Sequence, residues 1–514
     1  MKHIRKLRAL LDWKDWAAIA ASLSAAAALS LSNITRWSIW FDEAFSEHLS
    51  RHSFFDIARY TIADVHPPLY YWVLKVWCMV FGRSELALRS LSLVFLLIAI
   101  AIAYVLVRAL FSRRSAVFSS VLLAFSPMLF RYGIEARMYT MEVCIVVAAT
   151  AALAYAVRHK SRGAWVTYGV LIAVGMFTHY LSLMVWVAQG LWLLWQNRAA
   201  TVPKTVRSTL RRGYGTTLLT ALLLYAAWLP FMIWQFLHIQ TTGFWVPSVT
   251  INTVPNLISN MYTYYDSSAV QGWFAVLLIA VVVVTVYAVL FARRSLDRSK
   301  RQAYSLVLVT ALVPPLLLFL GSMPPLQPAF VDRYLLSSIT FWFMAIGIAL
   351  ADMWRMPSRA LFAKGIFIVT MATLVIGCVQ VYVIGNFNKD NGSVHTMRQA
   401  MQLIARHARG TEPVITDYAG RYYAADYYQL PGHKVYFQSQ DSTTDGSYAM
   451  LRGETSHKIV NLAAFGKRHS IAWYITSEPR GVASNVPVGW RVVRTYLVQQ
   501  PSLLRVIKMQ YVGG

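Results

Sequence analysis

The chain has 514 residues, of which 57% are hydrophobic and only 14% are charged, and its mean hydropathy is +0.47. Soluble domains carry about 25% charged residues, so this composition excludes an ordinary soluble enzyme. A net charge of +26 would suggest a nucleic-acid partner in a soluble protein. Here the basic residues follow the loops between apolar segments, so we predict a polytopic membrane protein in a lipid bilayer, with no nucleic-acid partner.

Eleven apolar segments come close to the length of a membrane-spanning helix, which needs about 20 residues to cross roughly 30 Å of hydrocarbon. They lie near residues 15–35, 86–107, 115–131, 138–157, 163–178, 180–196, 215–237, 272–291, 303–321, 334–353 and 360–385. The first follows a basic N-terminus and has no small-residue cleavage site, which favours a retained span over a signal peptide. The pattern predicts an all-α polytopic fold with about eleven transmembrane helices.

One further apolar stretch, residues 67–81, is only fifteen residues long and contains Lys75. If it does not cross, the N-terminus and five basic loops share one side and hold 24 Lys and Arg residues, against 9 in the opposite loops. Because basic loops stay cytoplasmic, we expect this stretch to be an in-plane or re-entrant helix of the first outer loop.

The same rule gives the orientation of the whole chain. The N-terminus is predicted to be cytoplasmic, in the plasma (inner) membrane, with residues 386–514 on the extracytoplasmic side. Hydropathy falls in that region, and helix and strand patterns alternate. The helix patterns lie at 395–409 and 420–430, and the strand patterns at 413–417, 434–438, 470–476 and 502–509. We therefore predict two domains, a membrane domain of residues 1–385 and a small α/β domain of residues 386–514.

Two adjacent carboxylates, Asp42 and Glu43, follow the first span. One interpretation is purely local, because acidic residues cap and stabilise the first turn of a helix. The other is catalytic: a carboxylate at the membrane edge can take a proton from an acceptor hydroxyl. The local pattern leaves both open.

Further along the same loop, His66 precedes two prolines and Lys75 lies on an apolar helix. The prolines are typical of a helix start. A lysine near the bilayer must extend its amine to the interface or bind an anion.

Three later outer turns also carry polar groups. Arg131, Glu135 and Arg137 lie in the second turn, His179 in the third and Arg333 in the fifth. Each has a structural alternative: an ion pair closing the turn, a structural histidine, or an arginine that reaches the interface. Arginine also binds phosphate through bidentate donors, so the shared side favours a functional site.

At these residues the chain resembles the GT-C glycosyltransferases that use polyprenyl phosphate sugars, particularly the bacterial relatives of protein O-mannosyltransferases and lipid A aminoarabinose transferases. The matching segments are FDEAFS (41–46), DVHPPLYY (64–71), GRSELALRSLS (82–92), RYGIEARMYT (131–140), THYLSLMVWVAQ (178–189) and DRYLLSS (332–338). They cover residues 41 to about 340 in the order that the family has.

The resemblance implies an inverting transfer of a sugar from a polyprenyl monophosphate donor to a hydroxyl of a glycan, lipid or protein acceptor on the outer face. Asp42 would be the catalytic base and Glu43 would assist it. The residues expected around the donor phosphate and sugar are His66, Tyr70, Lys75, Arg131, Glu135, Arg137, Tyr139, His179 and Arg333. A divalent cation could share the work, but no spacing in the sequence requires a metal or names its ligands.

Two other classes of function remain as alternatives. A membrane transporter or flippase would carry charged residues at mid-span and paired broken helices, whereas the charges here cluster at the outer ends. A receptor or scaffold would not require polar residues of separate loops to converge.

Overall fold

The computed structural model describes residues 11–198, 204–265, 270–384, 396–438, 446–453, 456–476, 487–498 and 504–513. The chain forms two compact units. Unit 1 comprises residues 1–32 and 90–383, and unit 2 comprises residues 33–89 and 384–514. The first loop therefore folds together with the C-terminal residues, although they are far apart in sequence.

Helices dominate the chain before residue 385. In chain order the α-helices are α1 (Trp13–Leu31), α2 (Phe41–Arg51), α3 (Phe54–Ala63), α4 (Leu69–Phe81), α5 (Glu85–Leu110), α6 (Arg113–Ala124), α7 (Pro127–Gly133), α8 (Tyr139–His159), α9 (Arg162–Thr178), α10 (Ser182–Arg198), α11 (Lys204–Tyr225), α12 (Leu229–Thr242), α13 (Thr253–Thr263), α14 (Gly272–Ser295), α15 (Arg298–Leu320), α16 (Leu336–Trp354) and α17 (Pro357–Ile384). A 3-10 turn, Asp332–Leu335, leads into α16.

Each of the eleven predicted segments is helical in the described part of the chain. By length and composition six helices qualify as membrane spans among the described residues, namely α5, α8, α14, α15, α16 and α17. Two bent pairs, α6 with α7 and α11 with α12, raise the number to eight. Six to eight of the eleven predicted segments therefore pass this test. Helices α9 and α10 have 17 residues each, which is about 25 Å and less than the hydrocarbon thickness.

Helix α4 corresponds to the apolar stretch that was too short to span. It has 13 residues and is therefore about 20 Å long. It begins after Pro68 and ends at Gly82, whose φ of 80° is a conformation that glycine adopts without steric cost. With α2 and α3 it forms a group of three short helices in unit 2, and their in-plane position remains a prediction.

Helix α16 is the core of unit 1, because 94% of its most apolar 18-residue stretch is buried. Its close neighbour is α6, and Gly347 permits the approach: a Cβ there would lie 2.5 Å from the backbone nitrogen of Ser119. Ser119 donates a hydrogen bond to the carbonyl oxygen of Met344 at 3.1 Å, so the two backbones are held together at this crossing.

A six-stranded mixed sheet forms the C-terminal part of unit 2. Its strands are β1 (Val414–Thr416), β2 (Val435–Gln438), β3 (Lys458–Ile459), β4 (Ile471–Thr476), β5 (Trp490–Val498) and β6 (Leu504–Tyr511). The order is β3-β2-β1-β4-β6-β5, parallel from β3 to β4 and antiparallel from β4 to β5. Helices α18 (Met397–His407), α19 (Ala419–Tyr427) and α20 (Leu462–Arg468) accompany it. The α/β prediction is confirmed, whereas β3, β5 and α20 were not predicted.

A buried ion pair joins the start of α2 to α5 within unit 2. Arg89 donates from Nε to Oε1 of Glu43 at 2.7 Å and from Nη2 to Oε2 at 2.6 Å. Its remaining donors reach the carbonyl oxygens of Ile34, Trp37 and Ser38. Both side chains are 1% exposed, so removal of one partner would leave the other charged and buried.

Replacing Gly347 by Ala should destabilise the protein by about 1–3 kcal/mol, because the new methyl group would collide with backbone atoms of α6. The midpoint of thermal unfolding in detergent measures this change. The matched control is Gly365→Ala in α17, where nothing lies within 4 Å of the new Cβ. Equal midpoints for the two variants would contradict the close crossing.

Replacing Glu43 by Gln should reduce the free energy of unfolding by about 3–5 kcal/mol, because Arg89 would remain charged without its carboxylate. Arg89→Met should be comparably destabilising. The double variant should lose less than the sum of the two single losses, since it leaves no unpaired charge. Arg59→Met is the control, because Arg59 is 61% exposed and its ion pair is with the exposed Asp56. Strict additivity of the two changes would argue against the pair.

Candidate functional site

The predicted site residues fall into two groups, one in each unit. Unit 2 holds Asp42, Glu43, His66, Tyr70 and Lys75, and unit 1 holds the others. Each group is described below within its own unit.

Asp42 lies in the first turn of α2 and is half-buried, whereas Glu43 beside it is completely buried. Ser46 donates a hydrogen bond to the backbone oxygen of Asp42 at 2.7 Å, which fixes this turn. Burial, with the nearby Asp42 carboxylate, raises the pKa of Tyr448 to about 12, so its phenol remains protonated at neutral pH. Asp42 therefore has a fixed backbone and a side chain that is partly exposed.

Glu43 has a different environment, since both of its carboxylate oxygens accept hydrogen bonds from Arg89. The pair and the three carbonyl oxygens bound by Arg89 fix residues 34–38 and the start of α2. Sequence reasoning did not select Arg89, although a lone arginine in the apolar stretch ELALRSLSLVF was a usable signal.

His66 is paired with an acidic residue that was also missed. Its Nδ1 lies 2.8 Å from Oδ2 of Asp64, and Oδ1 of Asp64 accepts a hydrogen bond from Ser447 at 2.9 Å. Asp64 is 4% exposed, whereas the His66 side chain is 15% exposed. A carboxylate on one ring nitrogen fixes the orientation of the imidazole and directs the other nitrogen away from that carboxylate.

The structure does not bring Tyr70 and Lys75 together. They are five residues apart on α4, which separates them by about 140° around the helix axis. Tyr70 is buried with its ring 5.5 Å from that of Tyr71, while the Lys75 amine lies 5.7 Å from the Phe54 ring. Lys75 therefore makes a cation–π contact on a different face of α4.

In unit 1, Arg131 and Glu135 form a fully buried ion pair at the end of α7. Ser92 of α5 donates hydrogen bonds to the carbonyl oxygens of Glu135 and Arg137, at 2.5 Å and 3.2 Å. Thr140 donates in return to the carbonyl oxygen of Ser92 at 2.9 Å. The turn that carries three predicted residues is therefore tied to α5, and Arg137 is itself only 3% exposed.

Tyr139, His179 and Arg333 come from three separate predicted outer turns, and the fold brings them together. The Tyr139 ring lies 5.9 Å from the His179 ring and 5.9 Å from the guanidinium carbon of Arg333. Tyr334 completes the cluster at 5.2 Å from the His179 ring. Trp245 lies over Arg333 at 5.2 Å.

Three acidic or aromatic neighbours of this cluster were not among the predicted site residues. Glu142, one turn after Tyr139, is buried with Oε2 3.9 Å from Nδ1 of His179. The Tyr132 ring lies 5.3 Å from the Tyr139 ring. Asp332 accepts a hydrogen bond from the side chain of Asn260 at 2.9 Å. Glu142 could have been selected from sequence, because the i, i+3 spacing places it beside Tyr139 on the same face of α8.

Unit 2 also contains an open cleft of about 720 Å³ lined by charged groups and tyrosines. Arg51 bridges Glu47 and Asp426, and Arg398 pairs with Glu85. Tyr427 and Tyr428 contribute the aromatic part of the lining. The cleft therefore joins the first loop to the C-terminal residues within one unit. Among the described residues, no three His, Cys, Asp or Glu side chains are placed to hold a metal ion.

Comparisons with known proteins agree on the fold. The model of the dolichyl-phosphate-mannose-protein mannosyltransferase family matches residues 65–234. ArnT from Cupriavidus metallidurans in the apo state aligns over 95% of this chain and 97% of its own, with 15% identity and a TM-score of 0.60. The same protein bound to undecaprenyl phosphate aligns over 97% and 98%, with 13% identity and a TM-score of 0.58.

The apo oligosaccharyltransferase of Archaeoglobus fulgidus aligns over 90% of this chain and 69% of its own, with 13% identity and a TM-score of 0.55. No significant match was found among curated proteins. At these identities the structural likeness shows the fold, and the family match covers a third of the sequence. The predicted resemblance is confirmed at the level of the fold: residues 65–234 match that family, and the whole chain is folded like ArnT and the archaeal oligosaccharyltransferase.

Proposed function

We propose that the protein transfers a sugar from a polyprenyl monophosphate donor to an acceptor hydroxyl, with inversion at the anomeric carbon. The observation that carries this proposal is the cluster of Tyr139, His179 and Arg333, which places a buried guanidinium among aromatic rings. Arginine donors and aromatic faces suit a sugar phosphate, because guanidinium binds phosphate oxygens and rings pack on apolar faces. The fold shared with an undecaprenyl-phosphate-bound protein supports the same conclusion.

In this proposal Asp42 is the general base. Its carboxylate takes the proton of the acceptor hydroxyl while that oxygen attacks the anomeric carbon. The bond between the anomeric carbon and the phosphate oxygen breaks, and polyprenyl phosphate leaves with the bonding electron pair. The half-buried Asp42 side chain on a fixed backbone suits this role better than Glu43, whose oxygens are both occupied by Arg89.

Glu43 is then a positioning residue for Asp42. Its ion pair with Arg89 holds the first turn of α2, and that turn carries Asp42. A base that is already oriented avoids reorganisation during the reaction. His66 and Tyr70 are assigned to the donor side, with the imidazole held by Asp64.

The leaving phosphate gains charge as the reaction proceeds, so cations at its oxygens stabilise the transition state more than the ground state. We assign this role to Arg137, Arg333 and Lys75. Arg131 is less suited to it, because its charge is already paired with Glu135 inside unit 1. The ion pair instead fixes the turn that carries Arg137, and Tyr139 and His179 complete the sugar site.

A prenyl tail requires an apolar groove, because each buried CH₂ contributes about 0.8 kcal/mol. We expect the tail between membrane helices and the reaction on the extracytoplasmic face of the inner membrane. The acceptor is a glycan, lipid or protein hydroxyl, and we assign its selection to residues 386–514. The open cleft of unit 2, with arginine, glutamate and tyrosine side chains, has the donors and acceptors that hydroxyl groups require.

Purified protein in lipid should release or transfer sugar from one member of a panel of radiolabelled polyprenyl monophosphate sugars. Asp42→Asn should reduce that rate by about 10² to 10⁴, because the base is lost while the side-chain size is kept. The unfolding midpoint of this variant should remain close to that of the wild-type protein.

Asp56→Asn is the control for Asp42→Asn, since Asp56 lies equally early in the neighbouring helix α3 but its side chain is 36% exposed. Equal activity of Asp42→Asn and the wild-type protein would remove Asp42 from the mechanism and leave the fold assignment intact. Activity on no donor, with several acceptor hydroxyls supplied, would count against the proposed reaction.

Arg333→Gln and Arg137→Gln should each lower kcat by about 10² to 10³, because each removes a cation that stabilises the leaving phosphate. Arg294→Gln, at an exposed helix end in unit 1, should retain full activity. Steady-state kinetics on the accepted donor separates the effects on kcat and KM. A change in KM alone would mean that these arginines bind donor and transition state equally.

A further inference from the structure

Unit 1 contains a cavity of about 780 Å³ that the proposed reaction does not use. It lies between α5, α8 and α9, near the C-terminal ends of α5 and α8 and the start of α9. Its volume is within the range of about 300–1,000 Å³ typical of small-molecule sites. It is therefore large enough for part of a lipid.

Apolar side chains form most of the cavity wall. Ile102, Val105 and Leu106 line it from α5, and small residues such as Ala151 and Ala154 line it from α8. The lining of α5 extends from Ile102 to Leu110, which is about 12 Å along the helix. The cavity is thus an elongated groove, and the alanines opposite leave it open.

The mouth of the groove is basic. Arg158 and His159 line it at the end of α8, Lys160 follows in the short connection, and Arg162 is the first residue of α9. All four side chains are exposed, and in the described part of the chain none has a carboxylate within salt-bridge distance. Arg158 donates a long hydrogen bond, 3.3 Å, to the carbonyl oxygen of Ala109.

Two arginines of the neighbouring helices differ from these four residues because each has a counterion. Arg108 and Arg113 both pair with the buried carboxylate of Asp15, at 3.0 Å and 2.9 Å. Among the described residues of unit 1, the positive charge nearest the groove is therefore the part that lacks a counterion. A cluster of cations above an apolar groove is complementary to an amphiphilic anion.

We propose that this groove binds an anionic phospholipid, with its phosphate at Arg158 and Arg162 and one acyl chain along the wall formed by α5 and α8. Basic pockets between membrane helices on the cytoplasmic side are suited to anionic headgroups. The positive-inside rule predicts that side for residues 158–163.

The groove is separate from the predicted donor site. Tyr139 and His159 are at opposite ends of α8, twenty residues and therefore about 30 Å apart. The chain's own N-terminus is a poor occupant, since Lys2, Arg5, Lys6 and Arg8 would repel the basic mouth. A zwitterionic lipid would fill the groove but leave the cations without a net negative partner.

The test is native mass spectrometry of the purified full-length protein in detergent, with dioleoyl phosphatidylglycerol or dioleoyl phosphatidylcholine. The two lipids have the same acyl chains and differ in headgroup charge. One phosphatidylglycerol should remain bound under conditions that remove phosphatidylcholine. The double variant Arg158→Gln/Arg162→Gln should weaken its binding by more than about tenfold, since each cation near an anionic lipid contributes roughly fivefold.

Ala151→Trp tests the chain-binding part, because the indole would occupy the groove, and it should abolish retention of phosphatidylglycerol. The matched controls are Arg293→Gln/Arg294→Gln at another exposed helix end and Val166→Trp on an exposed face of α9, and both should bind as the wild-type protein does. Equal retention of the two lipids would overturn the proposal. So would an arginine variant that no longer binds phosphatidylglycerol beside an Ala151→Trp variant that still does. Unchanged unfolding midpoints without lipid verify that the variants are folded.

Discussion

The buried pair of Arg89 and Glu43 is the constraint on which the arrangement of unit 2 depends. A guanidinium that is 1% exposed must have its donors satisfied, and Arg89 satisfies them with one carboxylate and three carbonyl oxygens. Those carbonyl groups belong to residues 34–38, so one side chain fixes the entry to the first loop. Since Glu43 begins α2, the same pair fixes the backbone of Asp42.

The predicted donor residues follow the same principle in unit 1. Arg131 is neutralised by Glu135, and the turn between them and Tyr139 is bound to Ser92. Arg333 instead packs against aromatic rings, which attract a cation without neutralising it. The buried arginines thus divide into those that hold structure and those suited to an anion, a distinction that residue type alone cannot make.

Much of the fold was predictable from sequence, because apolar length and alternation report local structure directly. All eleven apolar segments are helices, and the helix at 69–81 was recognised as too short to cross. Six to eight of these helices are long and apolar enough to cross a membrane, whereas α9 has only 17 residues. Strand β5 was missed because five successive exposed residues, Arg491 to Thr495, give no alternation.

By itself, the sequence determined the class of protein, the helical segments, the α/β character of the C-terminal region and the presence of polar residues between apolar segments. These features depend on local composition and on charge counts, which can be read directly from the sequence. Only the tertiary structure decided which polar residues meet: that Glu43 is paired with Arg89 46 positions away and that Tyr139, His179 and Arg333 form one cluster. Such pairings depend on how helices pack, and a single sequence does not encode that packing as a local pattern.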